Sequence, residues 1–189
     1  MSTIFVQQRS PRPALRLLPA LLLLTLALIA PATAAAGGGI SADGTEAGGE
    51  TVPGSKAKLV NGKAIPPENA PERVKKVIAA ANKIRNKPYK YGGGHGDWKD
   101  SGYDCSGAAS YALRGGRFLD APIDSNGMAR FGTKGKGEWI TVYGAPSHGY
   151  IVVAGLRFDT AMTPGDGPSW SKSLRSTPEN YKVRHPKGF

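Results

Sequence analysis

The sequence predicts an α+β domain in which helices near its N-terminal end pack on a small antiparallel sheet. Three observations predict this class: an amphipathic stripe within residues 71–87, a second helix-forming segment from Cys105 onward, and a β-branched run with a turn after His148. Residues 71–189 have the usual size of one domain with one core, and no internal repeat indicates a second domain.

Residues 1–36 have the features of a secretory signal. Three arginines precede an apolar run from Leu17 to Ala30, and small residues follow the run. We expect cleavage near Ala34 or Ala36 and a mature protein that is secreted or stays at the cell envelope. A retained membrane anchor is the alternative, although the run is shorter than the roughly 20 residues that a membrane-spanning helix needs.

Residues 37–70 are rich in glycine, alanine and proline and have no periodic apolar spacing. A segment of this composition buries little apolar surface, so the sequence predicts a flexible tether here. The domain boundary is therefore expected at residue 71.

The chain is basic, with 25 Lys and Arg against 14 Asp and Glu. Because an exported basic protein meets anionic envelope polymers first, we expect such polymers rather than nucleic acid as electrostatic partners. The single cysteine and three scattered histidines match no zinc-site spacing, so neither a metal nor a cofactor is expected. We also expect a monomer.

The first helix of the domain is predicted within residues 71–87. Its apolar stripe consists of Val74, Val77, Ile78, Ala81 and Ile84. Pro71 suits the first turn, and Pro88 disfavours helical geometry in the residue before it, so the helix should end near Asn86 and Lys87. Residues 91–103, here called the glycine loop, contain too many glycines for regular structure.

Cys105, the only cysteine of the chain, lies at the predicted start of the second helix, which continues to Arg114 and is closed by two glycines. A lone cysteine in an oxidising compartment cannot form an intramolecular disulfide. One interpretation is a buried structural thiol. The other is a nucleophile, because the free amides and the dipole of a helix N-terminus favour a thiolate and can stabilise an oxyanion.

His148 is the histidine best placed to act as a base. It opens a segment with a β-branched run and a turn at Gly155, which predicts a hairpin, and a strand is predicted just before it at residues 138–143. A histidine on a rigid strand can be held against a helix terminus, although a structural histidine is the alternative. His95 in the glycine loop and His185 in the polar tail are expected to be solvated or locally bonded.

Three stretches, "KPYKYGGG", "YDCSG" and "SHGYIVV", occur in an order that resembles the NlpC-type cell-wall cysteine peptidases. The resemblance covers roughly residues 74–160. It implies a papain-like fold and an exported cysteine peptidase that hydrolyses amide bonds in peptidoglycan stem peptides. A Cys-His cell-wall amidase and a non-catalytic envelope-binding domain of the same fold are the alternatives.

The resemblance also implies roles for single residues. Cys105 would be the nucleophile and His148 the general base. The third residue, usually a histidine in the family, falls at Asp159, whose carboxylate could orient the imidazole and stabilise the imidazolium. A slip of one residue along the strand would present Thr160 instead, because neighbours on a strand face opposite ways.

Three further residues are predicted to contact the substrate: Tyr89, Asp104 and Ser106. Tyr89 resembles a family tyrosine near the nucleophile, and a half-buried tyrosine at the start of the loop is the equal alternative. Asp104 is expected to cap the helix or to contact substrate. A direct chemical role for Asp104 is disfavoured because a carboxylate beside a thiol opposes its ionisation. Ser106 is part of the Asp-Cys-Ser-Gly motif.

Overall fold

The structure is a computed structural model that describes residues 49–161, 166–176 and 180–189. All of these residues belong to one compact unit. The predicted secretory signal and the first part of the predicted tether lie outside the described residues. Within the part of the chain that is described, no helix combines the length and apolarity needed to cross a membrane.

The order of the elements confirms the predicted combination of helices with an antiparallel sheet; the papain-like arrangement stays a prediction. The helices of the described residues are α1 (Glu72–Ile84), α2 (Cys105–Gly115) and α3 (Ser125–Arg130). The strands are β1 (Lys58–Val60), β2 (Lys63–Ile65), β3 (Thr133–Lys134), β4 (Ile140–Ala145), β5 (His148–Val153), β6 (Leu156–Asp159), β7 (Ser169–Ser171) and β8 (Lys182–His185).

Six of these strands form one antiparallel sheet in the order β3-β8-β4-β5-β6-β7. The predicted hairpin is β5–β6, and the predicted strand before it is β4. Ala154 and Gly155 form the β5–β6 turn with positive φ angles of 46° and 87°, the conformation that a tight two-residue hairpin turn requires. This turn fixes the register between the strand that begins with His148 and the strand that ends with Asp159.

Helices α1 and α2 pack against each other, and α2 also packs on β5. The predicted stripe of α1 is buried throughout. The approach of the two helices is close because a side chain at Gly115 would collide with Ala80. The helix α1 ends at Ile84, slightly earlier than the predicted end near Asn86 and Lys87, because the chain tightens into a turn in which Lys87 N–H donates to Ile84 O at 2.9 Å.

The prediction of a flexible tether is wrong for residues 52–70. This segment forms the β1–β2 hairpin, and it buries Ala64, Ile65 and Ala70. The side-chain amide of Asn82 on α1 satisfies both backbone hydrogen-bonding groups of Ala64. It accepts from the Ala64 N–H at 3.0 Å and donates to the Ala64 carbonyl at 2.8 Å. A three-residue strand is too short to show apolar periodicity, and its stabilising contacts come from α1.

Candidate active site

Cys105 occupies the first position of α2, as the sequence predicts, and its side chain is partly exposed. Burial by itself raises the pKa of the thiol, but hydrogen bonds with His148 and with the Gly149 N–H outweigh burial and hold the pKa of Cys105 below its ordinary value. The surroundings of the sulfur therefore favour the thiolate, which is the nucleophilic form of cysteine.

His148 is the first residue of β5, the strand on which α2 packs. Its Nε2 lies 2.8 Å from Asp159 Oδ1, which leaves Nδ1 as the remaining ring nitrogen for Cys105. Burial by itself lowers the pKa of His148, while the bonds with Asp159 and Cys105 outweigh burial and raise this pKa to about 9. Together with the lowered pKa of Cys105, this arrangement favours a thiolate beside an imidazolium.

Asp159 rather than Thr160 meets the imidazole, and the strand register explains why. Ile151 pairs with Phe158, so the next step of the register puts Asp159 across from Tyr150. Residues two apart on a strand share a face, so Tyr150 and His148 lie on the same side of the sheet as Asp159. Thr160 falls on the opposite face.

Asp159 is a fully buried carboxylate with cations beside it. Its Oδ1 also accepts from Ala161 N–H at 3.1 Å, and its Oδ2 lies 3.4 Å from Arg175 Nη1 and 3.6 Å from Arg157 Nε. Burial by itself raises the pKa of Asp159, but the bond with His148 and the charge of Arg175 lower it below its ordinary value. The carboxylate therefore stays ionised and can stabilise an imidazolium.

Asp104 and Ser106 are buried and bonded within the domain, and their predicted contact with substrate stays a prediction. Asp104 is the N-cap of α2: its Oδ1 accepts from Gly107 N–H at 2.7 Å, and its Oδ2 accepts from Gly92 N–H at 3.1 Å. His95 Nε2 lies 3.1 Å from Asp104 Oδ1 and 3.2 Å from Ser106 Oγ. These bonds tie the glycine loop to the start of α2.

Tyr89 lies beside the nucleophile with 44% of its surface exposed. Its pKa is raised, first by burial and then by the negative charge of Cys105, so its phenol is within electrostatic range of the sulfur. A tyrosine with this exposure can contact a ligand. The predicted contact between Tyr89 and substrate stays a prediction.

Sequence reasoning missed two residues at this site, Arg175 and Tyr181. The ring of Tyr181 packs edge-on against Tyr150 at 5.5 Å between centroids, and the Tyr150 ring lies 6.2 Å from that of His148. The Arg175 guanidinium lies 5.7 Å from the centre of the Tyr150 ring. Both missed residues follow the last segment that resembles the family, in a stretch without apolar periodicity, so no local signal marks them.

A cavity of about 490 Å³ lies elsewhere, between α1 and residues 49–51 and 63–66, and neither Cys105 nor His148 lines it. The candidate site is therefore identified by the mutual geometry of its side chains rather than by cavity volume. Among the described residues, no group of three or more His, Cys, Asp or Glu side chains could hold a metal ion. That the chain needs no cofactor stays a prediction.

Three solved structures to which this chain is similar are NlpC/P60 domain proteins. The P60 domain of an antigen from M. avium subspecies paratuberculosis has 19% identity and a TM-score of 0.45 over 60% of this chain and 94% of that chain. The peptidoglycan hydrolase RipB from Mycobacterium tuberculosis has 22% identity and a TM-score of 0.47 over 64% and 68%. An NlpC/P60 family protein from Bacillus cereus has 16% identity and a TM-score of 0.45 over 59% and 39%.

No protein-family model matches the chain, and no curated protein matches its sequence. The structural similarities concern the fold, and they fall in the same family that the sequence motifs resemble.

Proposed function

We propose that this chain is an exported cysteine peptidase that hydrolyses amide bonds in the stem peptides of peptidoglycan. The observation that carries the proposal is the alignment of Cys105, His148 and Asp159, with Nε2 of the imidazole 2.8 Å from the buried carboxylate and the imidazole bonded to the thiol. A nucleophile, a base and a group that orients the base are the parts that covalent amide hydrolysis needs. The substrate class is supported by the ordered motifs of the sequence.

In the first half-reaction, the Cys105 thiolate attacks the carbonyl carbon of the scissile amide. Backbone N–H groups at the start of α2 are suited to stabilise the oxyanion, because a helix N-terminus presents unpaired donors and a positive dipole end. The His148 imidazolium then gives its proton to the leaving nitrogen as the C–N bond breaks. The products of this step are a free amine and a thioester on Cys105.

In the second half-reaction, neutral His148 accepts a proton from water, and the resulting hydroxide attacks the thioester. The C–S bond breaks, the acid leaves, and the thiolate–imidazolium pair is restored. Asp159 holds the ring with Nδ1 toward the sulfur and stabilises the imidazolium in both half-reactions. Tyr89, exposed beside the nucleophile, is our proposed substrate contact.

Export and envelope location belong to the same proposal. They rest on the signal-like residues 1–36 and on the basic composition of the chain, which suits a surrounding of anionic polymers. Within this proposal, Asp104 and Ser106 support the start of the nucleophile helix.

Digestion of purified peptidoglycan with the exported protein tests the proposal, with Cys105→Ala as the matched control. Mass spectrometry of the released fragments should show new ends within the stem peptide, and the control should release none. New ends at the bond between sugar and peptide would instead identify an amidase. Retention on the polymer without any release would identify a binding domain.

A further inference from the structure

The cavity of about 490 Å³ beside α1, here called the α1 groove, has three walls. One wall is α1, the second is residues 63–66, and the third is residues 49–51. Val52 N–H donates to Pro66 O at 3.0 Å, and Glu68 N–H donates to Val52 O at 2.8 Å, so backbone bonds hold the third wall against the second. The groove is thus already formed, and its volume falls within the roughly 300–1,000 Å³ that is usual for ligand-binding pockets.

The α1 groove and the candidate active site lie on different sides of α1. Ala80 meets the nucleophile helix, since an added side chain at Gly115 would collide with it. The groove is lined instead by Lys75, Ala79 and Asn82, which share another face of α1 at spacings of four and three. A ligand can therefore occupy the groove while a substrate lies at the cysteine.

The floor of the α1 groove is apolar. Ala64, Ile65 and Ile78 are buried beneath it, and Ala79 is exposed at its side. The small side chain of Ala79 leaves space that a longer side chain would fill. This floor suits small apolar groups of a ligand and offers little to a polymer that is polar throughout.

Basic side chains surround the floor. Of the described residues that line the groove, two are acidic and five are basic: Glu50, Glu72, Lys63, Lys75, Lys76, Lys83 and Arg85. Within residues 49–161, 166–176 and 180–189, none of the four lysines forms an ion pair. These lysines can therefore pair with an anionic ligand.

Arg85 supplies a separate indication of a ligand. Its Nη1 donates to Asn82 O at 2.8 Å, whereas its Nε is buried and has no hydrogen-bond partner among the described residues. Buried donors are ordinarily paired. An acceptor oxygen brought into the groove beside Arg85 would satisfy this donor.

We propose that the α1 groove binds a second stem peptide of peptidoglycan while another stem peptide occupies the site at Cys105. Stem peptides carry free carboxylates, which match the cations, and small apolar side chains such as that of alanine, which match the floor. The inference rests on the proposed peptidase function and adds a site through which the enzyme holds its polymeric substrate. Because the polymer repeats its stem peptides, occupation of one site raises the effective concentration of peptide at the other.

The test compares intact peptidoglycan, which can fill both sites at once, with a short soluble stem peptide, which cannot link them. Lys75→Gln/Lys83→Gln removes two charges of the groove, and Ala79→Phe fills the space above its floor. We expect each variant to slow fragment release from peptidoglycan about 10-fold or more and to keep kcat/KM on the soluble peptide within about twofold of the wild type.

The matched control is Lys56→Gln/Lys58→Gln, which removes two exposed charges near β1 from residues that do not line the groove. This control should leave both activities unchanged. A loss on peptidoglycan of the same size in the control and in the groove variants would assign the effect to the net charge of the protein and overturn the groove.

Binding by Cys105→Ala separates this inference from the proposed function. A soluble stem peptide titrated into this variant, isotope-labelled, should shift the amide NMR signals of Ala64 and Asn82, and Lys75→Gln/Lys83→Gln should remove these shifts. Such shifts, with no fragment release by the wild type, would reject the peptidase function and keep the groove. Release at the wild-type rate by the groove variants, with no shift at Ala64 or Asn82, would keep the function and overturn the groove. Shifts that appear with soluble polyphosphate but not with the peptide would overturn the proposed occupant.

Discussion

Two histidine–aspartate pairs flank the single cysteine, and they differ in what else each aspartate holds. In the first pair, His148 Nε2 lies 2.8 Å from Asp159 Oδ1; in the second, His95 Nε2 lies 3.1 Å from Asp104 Oδ1. Asp104 also accepts backbone N–H groups from the glycine loop and from α2. Asp159 is instead fully buried, with the guanidinium of Arg175 at its other oxygen.

The partners of each carboxylate thus decide what its histidine can do. The oxygens of Asp104 accept hydrogen bonds from backbone N–H groups, and His95 is bonded to Ser106. This pair therefore holds the glycine loop against the start of α2. Asp159 stays ionised beside an imidazole that is bonded to the thiol, so this pair can accept and return a proton. The same two residue types are structural on one side of Cys105 and suited to catalysis on the other.

The largest effect that separates the pairs is expected from the histidines. His148→Ala and Cys105→Ala should each lower kcat/KM on a stem peptide by about 10³-fold or more, and the double variant should cost little beyond either, because groups that act as a unit are non-additive. His95→Ala, the matched control, should keep most of the activity. Turnover by His148→Ala at the level of His95→Ala would contradict the distinction.

The second-largest effect on activity is expected from the catalytic-site aspartate, Asp159. Asp159→Asn keeps the shape of the side chain but removes the charge that supports the imidazolium, so kcat should fall by about 10²- to 10³-fold while the fold survives. Thr160→Val, on the opposite face of the strand, should stay close to wild type in the same assay. The reverse ranking of these two variants would show that the register is off by one residue.

The pH dependence sharpens the comparison further. Because the pKa of His148 is raised to about 9, the imidazolium is present at neutral pH and is lost as the pH rises through about 9. Because the pKa of Cys105 is lowered, the thiolate is lost only as the pH falls through that depressed value. We therefore expect kcat/KM to be bell-shaped, with an alkaline limb near pH 9.

In Asp159→Asn the alkaline limb should move to lower pH, since the neutral amide no longer favours the protonated imidazole. His95→Ala should leave the limb where it is in the wild type. An alkaline limb that moves in His95→Ala and stays fixed in Asp159→Asn would show that the base is His95 and not His148.

The smallest effect should come from the structural pair and concern stability. Asp104→Ala removes the N-cap of α2 and should lower the free energy of unfolding by about 1 kcal/mol, as helix caps ordinarily do. Asp104→Asn, which keeps acceptor oxygen at the cap, should recover most of this loss in urea unfolding. An unchanged midpoint in Asp104→Ala would mean that the loop and helix are held together by other contacts.

Local patterns made much of the site predictable. The apolar stripe of α1, the start of α2 at Cys105 and the turn at Gly155 are each encoded within a short window, and the turn also sets the register that aligns Asp159 with His148. The sequence predicts the role of Asp104 as a helix cap, because a cap depends on neighbouring residues. It does not predict the bond between Asp104 and His95, because that bond depends on how the glycine loop folds.

Contacts between distant segments account for what the sequence did not reveal. The β1–β2 hairpin is held by hydrogen bonds from Asn82 of α1. The composition of the hairpin segment does not reveal this contact, and for that reason it predicted a tether. Arg175 reaches Asp159 from a segment 16 residues further along the chain, and Tyr181 meets Tyr150 across an even longer separation. Such pairings depend on the folded sheet and leave no periodicity in the sequence.

Alkylation of the thiol by iodoacetamide as a function of pH tests the central claim most directly, that Cys105 is a nucleophile activated by His148. Since the chain contains one cysteine, the labelling rate reports a single sulfur. We predict that the rate stays high well below the ordinary pKa of a thiol, and that His148→Ala shifts its rise to higher pH. A wild-type rate that rises only near the ordinary thiol pKa, and that His148→Ala leaves unchanged, would contradict the account.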